Sequence, residues 1–222
     1  MIRRRQLLMA LPLAAGCRSS RAPQKPLAGG YPAQQCLRVL TIHARASTGW
    51  MTLMERPHPE APWTTISPAI PVSIGRNGQS NDKREGDGCS PSGAYRIGSG
   101  FGSGPRPPGV RLPWIRLTAA HAGVDDPASR FYNRIIDSRS VTRDWHSAEN
   151  MIPASGVYRL GAIVEYNHSQ IPGKGSCIFL HIWSAPGTPT AGCTAMSAAD
   201  LLRVLQWLDP AKSPVLDLGI GP

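Results

Sequence analysis

The sequence predicts a mainly β domain with one helix late in the chain. Three observations carry that prediction. Gly (23) and Pro (22) make up about a fifth of the 222 residues, and both interrupt helices, which argues against a helical bundle or coiled coil. Apolar residues, at 41%, suffice for a packed core, so the chain is not disordered throughout. Short apolar runs separated by turn residues fit strands joined by loops. The length suits one domain with a small extension. No run of about 18 apolar residues occurs, so no ordinary transmembrane helix is expected.

The elements follow in order. Residues 37–43 (LRVLTIH) alternate as a strand, and residues 50–54 (WMTLM) form a second. Residues 61–75 (APWTTISPAIPVSIG) hold a third and a fourth, broken by prolines. Residues 76–93 are a long turn-rich loop. Residues 94–98 (AYRIG) return to strand, 99–113 form another loop, and 114–118 (WIRLT) are a short strand. Residues 125–137 and 142–151 accommodate short helices or irregular structure. Asp125 and Asp126, just before Pro127, read as a turn or helix cap. Residues 157–166 (VYRLGAIVEY) are a strand. Residues 176–183 (SCIFLHIW) are the most apolar strand and belong at the centre. A Pro/Gly turn over 184–193 follows. Ser197, with Asp200 three residues on, opens a helix over 198–208 in the manner of a capping box. Leu201, Leu202, Leu205 and Leu208 form its apolar stripe. Residues 214–218 (PVLDL) close the fold.

Residues 1–17 read as a signal peptide: Arg3, Arg4 and Arg5, a short apolar stretch over 7–15, then Gly16 and Cys17. Arg4-Arg5-Gln6-Leu7-Leu8 resembles a twin-arginine signal. Residues 13–17 resemble a lipobox, with Ala14 where Leu is usual, which would put a lipid anchor on Cys17. Residues 18–35 are a Pro- and Gly-rich linker, and residues 36–222 are the domain. The formal charge is +10; removing residues 1–16 takes three arginines and no acid and leaves +7. A basic exported protein suits an anionic wall polymer or a lipid surface, not nucleic acid. Beyond Cys17 stand Cys36, Cys89, Cys177 and Cys193. No CxxC pair occurs, which leaves zinc-ribbon and thioredoxin motifs without support. A Cys36–Cys89 bridge is the favoured pairing in an oxidising compartment. The histidines show no metal-ligand spacing, so no metal site is expected.

The chemistry points to His181 and Cys193. Strand parity puts Cys177, Phe179, His181 and Trp183 on one face. An imidazole in so apolar a strand needs a partner. The turn after it delivers Thr190-Ala191-Gly192-Cys193, with Gly192 allowing close approach to the thiol. A helix N-terminus nearby and a neighbouring imidazole would favour thiolate. A cysteine beside a base is a nucleophile arrangement; simple packing of both residues is the competing reading.

The segment 181–196, HIWSAPGTPTAGCTAM, resembles the active-site signature of the YkuD-type L,D-transpeptidases: a His, a spacer, then Ser/Thr-x-Gly-Cys, matched by His181, Thr190, Gly192 and Cys193. The segment 83–95, KREGDGCSPSGAY, is similar to that family's KxxGD-x-x-TPxGxY loop, matched by Lys83, Gly86, Asp87, Pro91, Gly93 and Tyr95, with Ser90 for Thr. The resemblance extends over residues 37–218. It departs from many members in carrying Ala191 in place of a second His and in having a shorter spacer.

The resemblance implies a YkuD-like β-sandwich and a cysteine acyl-transferase that needs no cofactor and acts on peptidoglycan stem peptides. Cys193 would be the nucleophile and His181 the proton carrier. The backbone carbonyl of Ile182 would orient the imidazole. The Gly192 and Cys193 amides would form an oxyanion hole beside Thr190. Arg159, Arg134, Trp183 and Tyr132 are candidates for substrate binding, the arginines because they fork onto carboxylates. The chain is read as a monomer. A hydrolytic member of the family (an L,D-carboxypeptidase, or an amidase cleaving cross-links or lipoprotein linkages) and a non-catalytic wall-binding lipoprotein are the alternatives.

Overall fold

Around the molecule runs a circuit of strands. In the computed structural model, which describes residues 32–221, β1 (Gln35–Thr41) and β2 (Thr48–Glu55) pair antiparallel. Short strands β3 (Thr64–Thr65), β4 (Ile70–Ser73), β5 (Gln79–Ser80) and β6 (Ser90–Pro91) follow. Next come the long β7 (Gly93–Gly102) and the short β8 (Trp114–Arg116). The second half carries β9 (His121–Val124), β10 (Arg134–Asp137), β11 (Ala148–Asn150), β12 (Gly161–Val164), β13 (Phe179–Ile182) and β14 (Thr194–Met196). Helix α1 (Ala198–Trp207), a 3-10 turn over Pro210–Lys212 and β15 (Val215–Ile220) complete the chain.

Hydrogen bonding runs β1-β15-β7-β12-β13-β14-β4-β2, and the β1–β2 ladder closes the circuit. Closure leaves the ring without a free edge. β3 and β8 attach outside it, to β2 and β7. β9, β10 and β11 form a separate three-stranded sheet in the order β10-β9-β11. The mainly β architecture with one late helix is that of a YkuD-like β-sandwich. Among the described residues no helix is long and apolar enough to cross a membrane.

The main core gathers Leu37, Val39 and Met51 with Ile178, Leu180, Ile182 and one face of α1. In α1 the buried stripe is Leu201, Val204, Leu205 and Leu208, spaced i, i+3, i+4, i+7; Leu202, expected on it, is only half-buried. Ser197 caps the helix, its hydroxyl accepting from the Asp200 amide at 3.0 Å. β13 splits its side chains by parity. Even-numbered residues enter this core, while Phe179 joins Phe101, Met151, Cys177 and Cys193 in a second cluster.

Four expectations are corrected. Residues 99–102, read as loop from their glycines, extend β7. A Cβ on Gly100 would lie 2.8 Å from the Trp114 ring and one on Gly102 would lie 2.5 Å from Arg159 O, so these glycines permit close packing of strands. The strand expected over 157–166 is only β12, because residues 158–160 bend before it. Of the segments over 125–137 and 142–151, expected to hold short helices or irregular structure, no part is helical: most is irregular, and 134–137 and 148–150 form the strands β10 and β11. Finally, the four described cysteines are free. Cys36 packs with Met54, Trp63 and Val215, and Cys89 sits in the loop before β6 with its sulfur 3.6 Å from Asn77 O. The signal peptide over 1–17 and most of the linker over 18–35 lie outside the described residues.

Candidate active site

Cys193 ends a turn held from two sides. On its own side, Thr190 Oγ1 donates to Cys193 O at 2.7 Å and accepts from the Gly192 amide at 3.0 Å. The Thr190 backbone is laced to the segment after β4: its amide donates to Ile74 O and its carbonyl accepts from the Arg76 amide. From the loop between β5 and β7, Ser90 Oγ donates to Gly192 O at 2.7 Å and accepts from the Gly75 amide at 2.9 Å. Gly192 has no room for a side chain, since a Cβ would stand 2.8 Å from Cys89 O. The two segments singled out in the sequence, a hundred residues apart, therefore meet at this turn.

The same loop is pinned by Asp87. Its carboxylate accepts from Lys83 Nζ at 2.9 Å and from the amides of Arg84 and Cys89 at 2.7 and 2.8 Å. Burial pushes the Asp87 carboxyl up, but these donors outweigh it and hold the group below its usual range. Lys83 is buried, and its charge is spent on Asp87.

The thiol is enclosed. Cys193 Sγ accepts from the Phe179 amide at 3.3 Å and donates to Cys177 O at 3.4 Å. Burial, reinforced by the Glu149 charge, pushes the thiol up to about 12, against the Phe179 amide and Lys83, which favour thiolate. The expectation of a resting thiolate is thus overturned: desolvation exceeds what the nearby donors return. His181 Nδ1 lies 2.8 Å from Ile182 O. A carbonyl only accepts, so Nδ1 carries the proton and Nε2 presents a lone pair. Burial lowers the His181 pKa below 6.5, partly countered by the Ile182 carbonyl. Both partners are therefore neutral at rest. The Tyr158 ring meets the imidazole edge-on, centroids 5.3 Å apart, and its hydroxyl donates to Glu149.

A cavity of about 380 Å³ joins these groups. Cys193, His181, Trp183, Gly192 and Thr190 line it, as do Tyr158, Arg76, Lys83, Glu85, Asp125 and Glu149. Three candidates for substrate binding lie elsewhere. Arg159 is exposed on the bend before β12. Arg134 is exposed on β10, bonded to Gln170 and lining a separate hollow of about 230 Å³. Tyr132 is buried, its hydroxyl donating to Glu85. Sequence reasoning missed the cavity's acidic wall. Asp126 makes the expected turn, accepting from the Ala128 and His146 amides, while Asp125 faces the cavity. The β9–β11 pairing sets Glu149 opposite Gly123, and Asp125 directly follows β9, so both residues line the same cavity. Gly123 lets β9 lie this close, since a Cβ there would stand 3.2 Å from Cys177 Sγ. Among the described residues no group of three or more His, Cys, Asp or Glu could hold a metal ion.

A buried thiol and a tautomer-fixed imidazole in one cavity, on a turn clamped by a distant loop, are equipment for acyl transfer. A family model, YkuD, described as the L,D-transpeptidase catalytic domain, matches residues 63–216. The chain belongs to the YkuD family. That span includes both clamped segments and every cavity residue named above. YkuD proteins are cysteine-dependent enzymes of the L,D-transpeptidase type that act on peptidoglycan stem peptides. No curated protein matches the chain. Among solved structures it is similar to the helical cell shape determining protein Pgp2 from Campylobacter jejuni, with 16% identity and a TM-score of 0.45. That similarity covers 90% of this chain and 52% of the other, so the chain spans about half the length of that structure.

Proposed function

We propose that this YkuD protein is a peptidoglycan L,D-transpeptidase that cross-links or exchanges stem peptides at diaminopimelate through a Cys193 acyl-enzyme. One observation carries the reading: the Cys193 thiol and the His181 imidazole, its Nδ1 proton tied to Ile182 O, open onto the same cavity. Because both are neutral, His181 Nε2 takes the thiol proton as sulfur attacks the stem-peptide carbonyl. The carbonyl oxygen takes up negative charge. The Gly192 amide, proposed from sequence for this charge, already donates to Thr190, so the Cys193 amide is the better candidate. Collapse breaks the C–N bond, and His181 returns the proton to the leaving amine. An acceptor amine then attacks the thioester, gives its proton to His181, and releases Cys193, which recovers it. Trp183 walls the cavity.

On this reading residues 1–17 are an export signal and 18–35 a linker, followed by the catalytic domain over 36–222, working as a monomer outside the cytoplasm with a lipid anchor at Cys17. Intact-mass spectrometry of the protein with a carbapenem, then with purified muropeptides, tests the chemistry. A single adduct that Cys193→Ala abolishes, followed by muropeptide dimers or exchange products, is the expected result. Trimmed stems would mean a hydrolase, and no adduct on folded, reduced protein would remove Cys193 as nucleophile.

A further inference from the structure

The bend before β12 interrupts a strand that the sequence favours, and it does so beside the catalytic imidazole. The Gly156 amide donates to Pro153 O at 2.9 Å and the Arg159 amide donates to Gly156 O at 3.1 Å, with Gly156 at φ +67°. This bend meets the end of β13 at two points. Val157 O accepts from the Ile182 amide at 3.1 Å, so the residue whose carbonyl holds His181 Nδ1 is itself held by the bend. One residue on, the Tyr158 ring stands nearly perpendicular to the imidazole, at 82° between the ring planes. Phe101 and Phe179 pack on the same tyrosine ring, also edge-to-face, with centroids 6.1 and 5.7 Å away. At its tip the Tyr158 hydroxyl donates to Glu149 on β11. Tyr158 is therefore fixed at both ring and tip, yet neither it nor Glu149 takes part in the proton transfers of the proposed reaction.

We propose that Tyr158 is a positioning residue for His181, and that Glu149 is the tether that keeps it in place. His181 serves two partners in acyl transfer: it takes a proton from Cys193 and delivers it to the leaving amine. Its Nε2 must therefore keep one direction. The bond from Nδ1 to Ile182 O fixes the tautomer and one distance, but a hydrogen bond at a carbonyl tolerates a broad spread of directions. A ring packed edge-to-face on the imidazole removes the tilt that remains. Phe would fill the same space; the hydroxyl adds a handle by which the ring can be held. Glu149 takes that handle and ties the bend to the three-stranded sheet. The aim of the proton carrier is thus set by a sheet that supplies no reacting atom. This inference rests on the reading of His181 as proton carrier and deepens it.

The test uses kcat and KM with purified muropeptides, and a spectroscopic readout that needs no turnover. Tyr158→Phe keeps the ring and cuts the tether. It should lower kcat about tenfold, for a shift smaller than the 1 Å that costs about 10²-fold, with KM within about twofold and the far-UV dichroism unchanged. Glu149→Gln and Glu149→Ala both remove the charge, but only Gln keeps an acceptor for the hydroxyl. The Gln variant should therefore turn over at least about tenfold faster than the Ala variant. Tyr158→Phe combined with Glu149→Ala should lose no more than either alone, because both cut one link. A parental kcat in Tyr158→Phe, equal rates in the Gln and Ala variants, or losses that multiply in the double variant overturns the proposal. So does a change confined to KM or melting temperature, which packing alone would give. The imidazole nitrogen–proton correlation of His181 in NMR, assigned by its loss in His181→Gln, should be sharp in the parent and broadened in Tyr158→Phe. A signal already broad in the parent, or equally sharp in both, overturns the positioning role. A missing carbapenem adduct or absent turnover sinks the acyl-transfer reading, and the imidazole signal still decides the role of Tyr158.

Discussion

Alkylating Cys193 across pH separates two ways of making a nucleophile. In one, thiolate and imidazolium exist before substrate arrives. In the other, both partners are neutral and the proton moves only during attack. Here the thiol is pushed up to about 12 from an ordinary 9.0. At neutral pH that is about a thousandfold less thiolate, or about 4 kcal/mol at about 1.4 kcal/mol per tenfold. The perturbation is a pH series from 6 to 10 with iodoacetamide, read at Cys193 by peptide mapping so that Cys36, Cys89 and Cys177 do not contribute. The logarithm of the rate should climb with unit slope across the whole series. It should run about three decades below an exposed thiol at each pH below 9, before any further loss from restricted access. A plateau beginning below about pH 9, or reactivity that persists at pH 6, would refute the neutral-pair reasoning.

The other predictions are read by kinetics and by unfolding. His181→Gln should lower kcat against muropeptides by about 10²–10⁴-fold while leaving the far-UV dichroism unchanged; a drop below tenfold would remove its proton-carrying role. Because burial lowers the His181 pKa, the acid limb of kcat/KM should fall below pH 6.5, and a limb above 7 would contradict it. Ser90→Ala strands the Gly75 amide and Gly192 carbonyl and should destabilise by about 1–3 kcal/mol in urea unfolding. Gly192→Ala sets a methyl against Cys89 O and should cost about 1–3 kcal/mol and most of the activity; a fully active variant would mean the turn can move. Asp87 titrates below its unfolded value, so its contribution is present above about pH 4 and is lost as pH falls through the folded value. Asp87→Asn should flatten that acid slope in unfolding curves.

The parts legible in the sequence are those written locally. The His181 face could be read because β13 alternates, and the Cys193 turn because Gly and Pro announce it. The helix could be read from Ser197, Asp200 and its leucines, although Val204 displaced Leu202 once packing chose the stripe. The acidic wall was not legible. Asp125 and Glu149 reach the same cavity through a sheet of strands three and four residues long, built from Ala, Gly and Asn as much as from apolar residues, with no period to detect. Arg159, Arg134 and Tyr132 were chosen for chemical type, and type says nothing about direction. Arg159 points out from a bend, Arg134 lines another hollow, and Tyr132 is spent on Glu85. The neutral thiol also escaped, because desolvation depends on everything packed around Cys193.

The two faces of β13 have a consequence for how this protein can change. Its even positions, Leu180 and Ile182, are locked into the main core, whereas His181 and, just beyond the strand, Trp183 look into the cavity. Reactivity and robustness are thus encoded in alternate letters of one word. A library varied at residue 183 should sample new specificities at nearly constant melting temperature, while one varied at 180 and 182 should lose folded protein before it alters substrate choice. Such separation lets a lineage explore new substrates without first acquiring a sturdier scaffold.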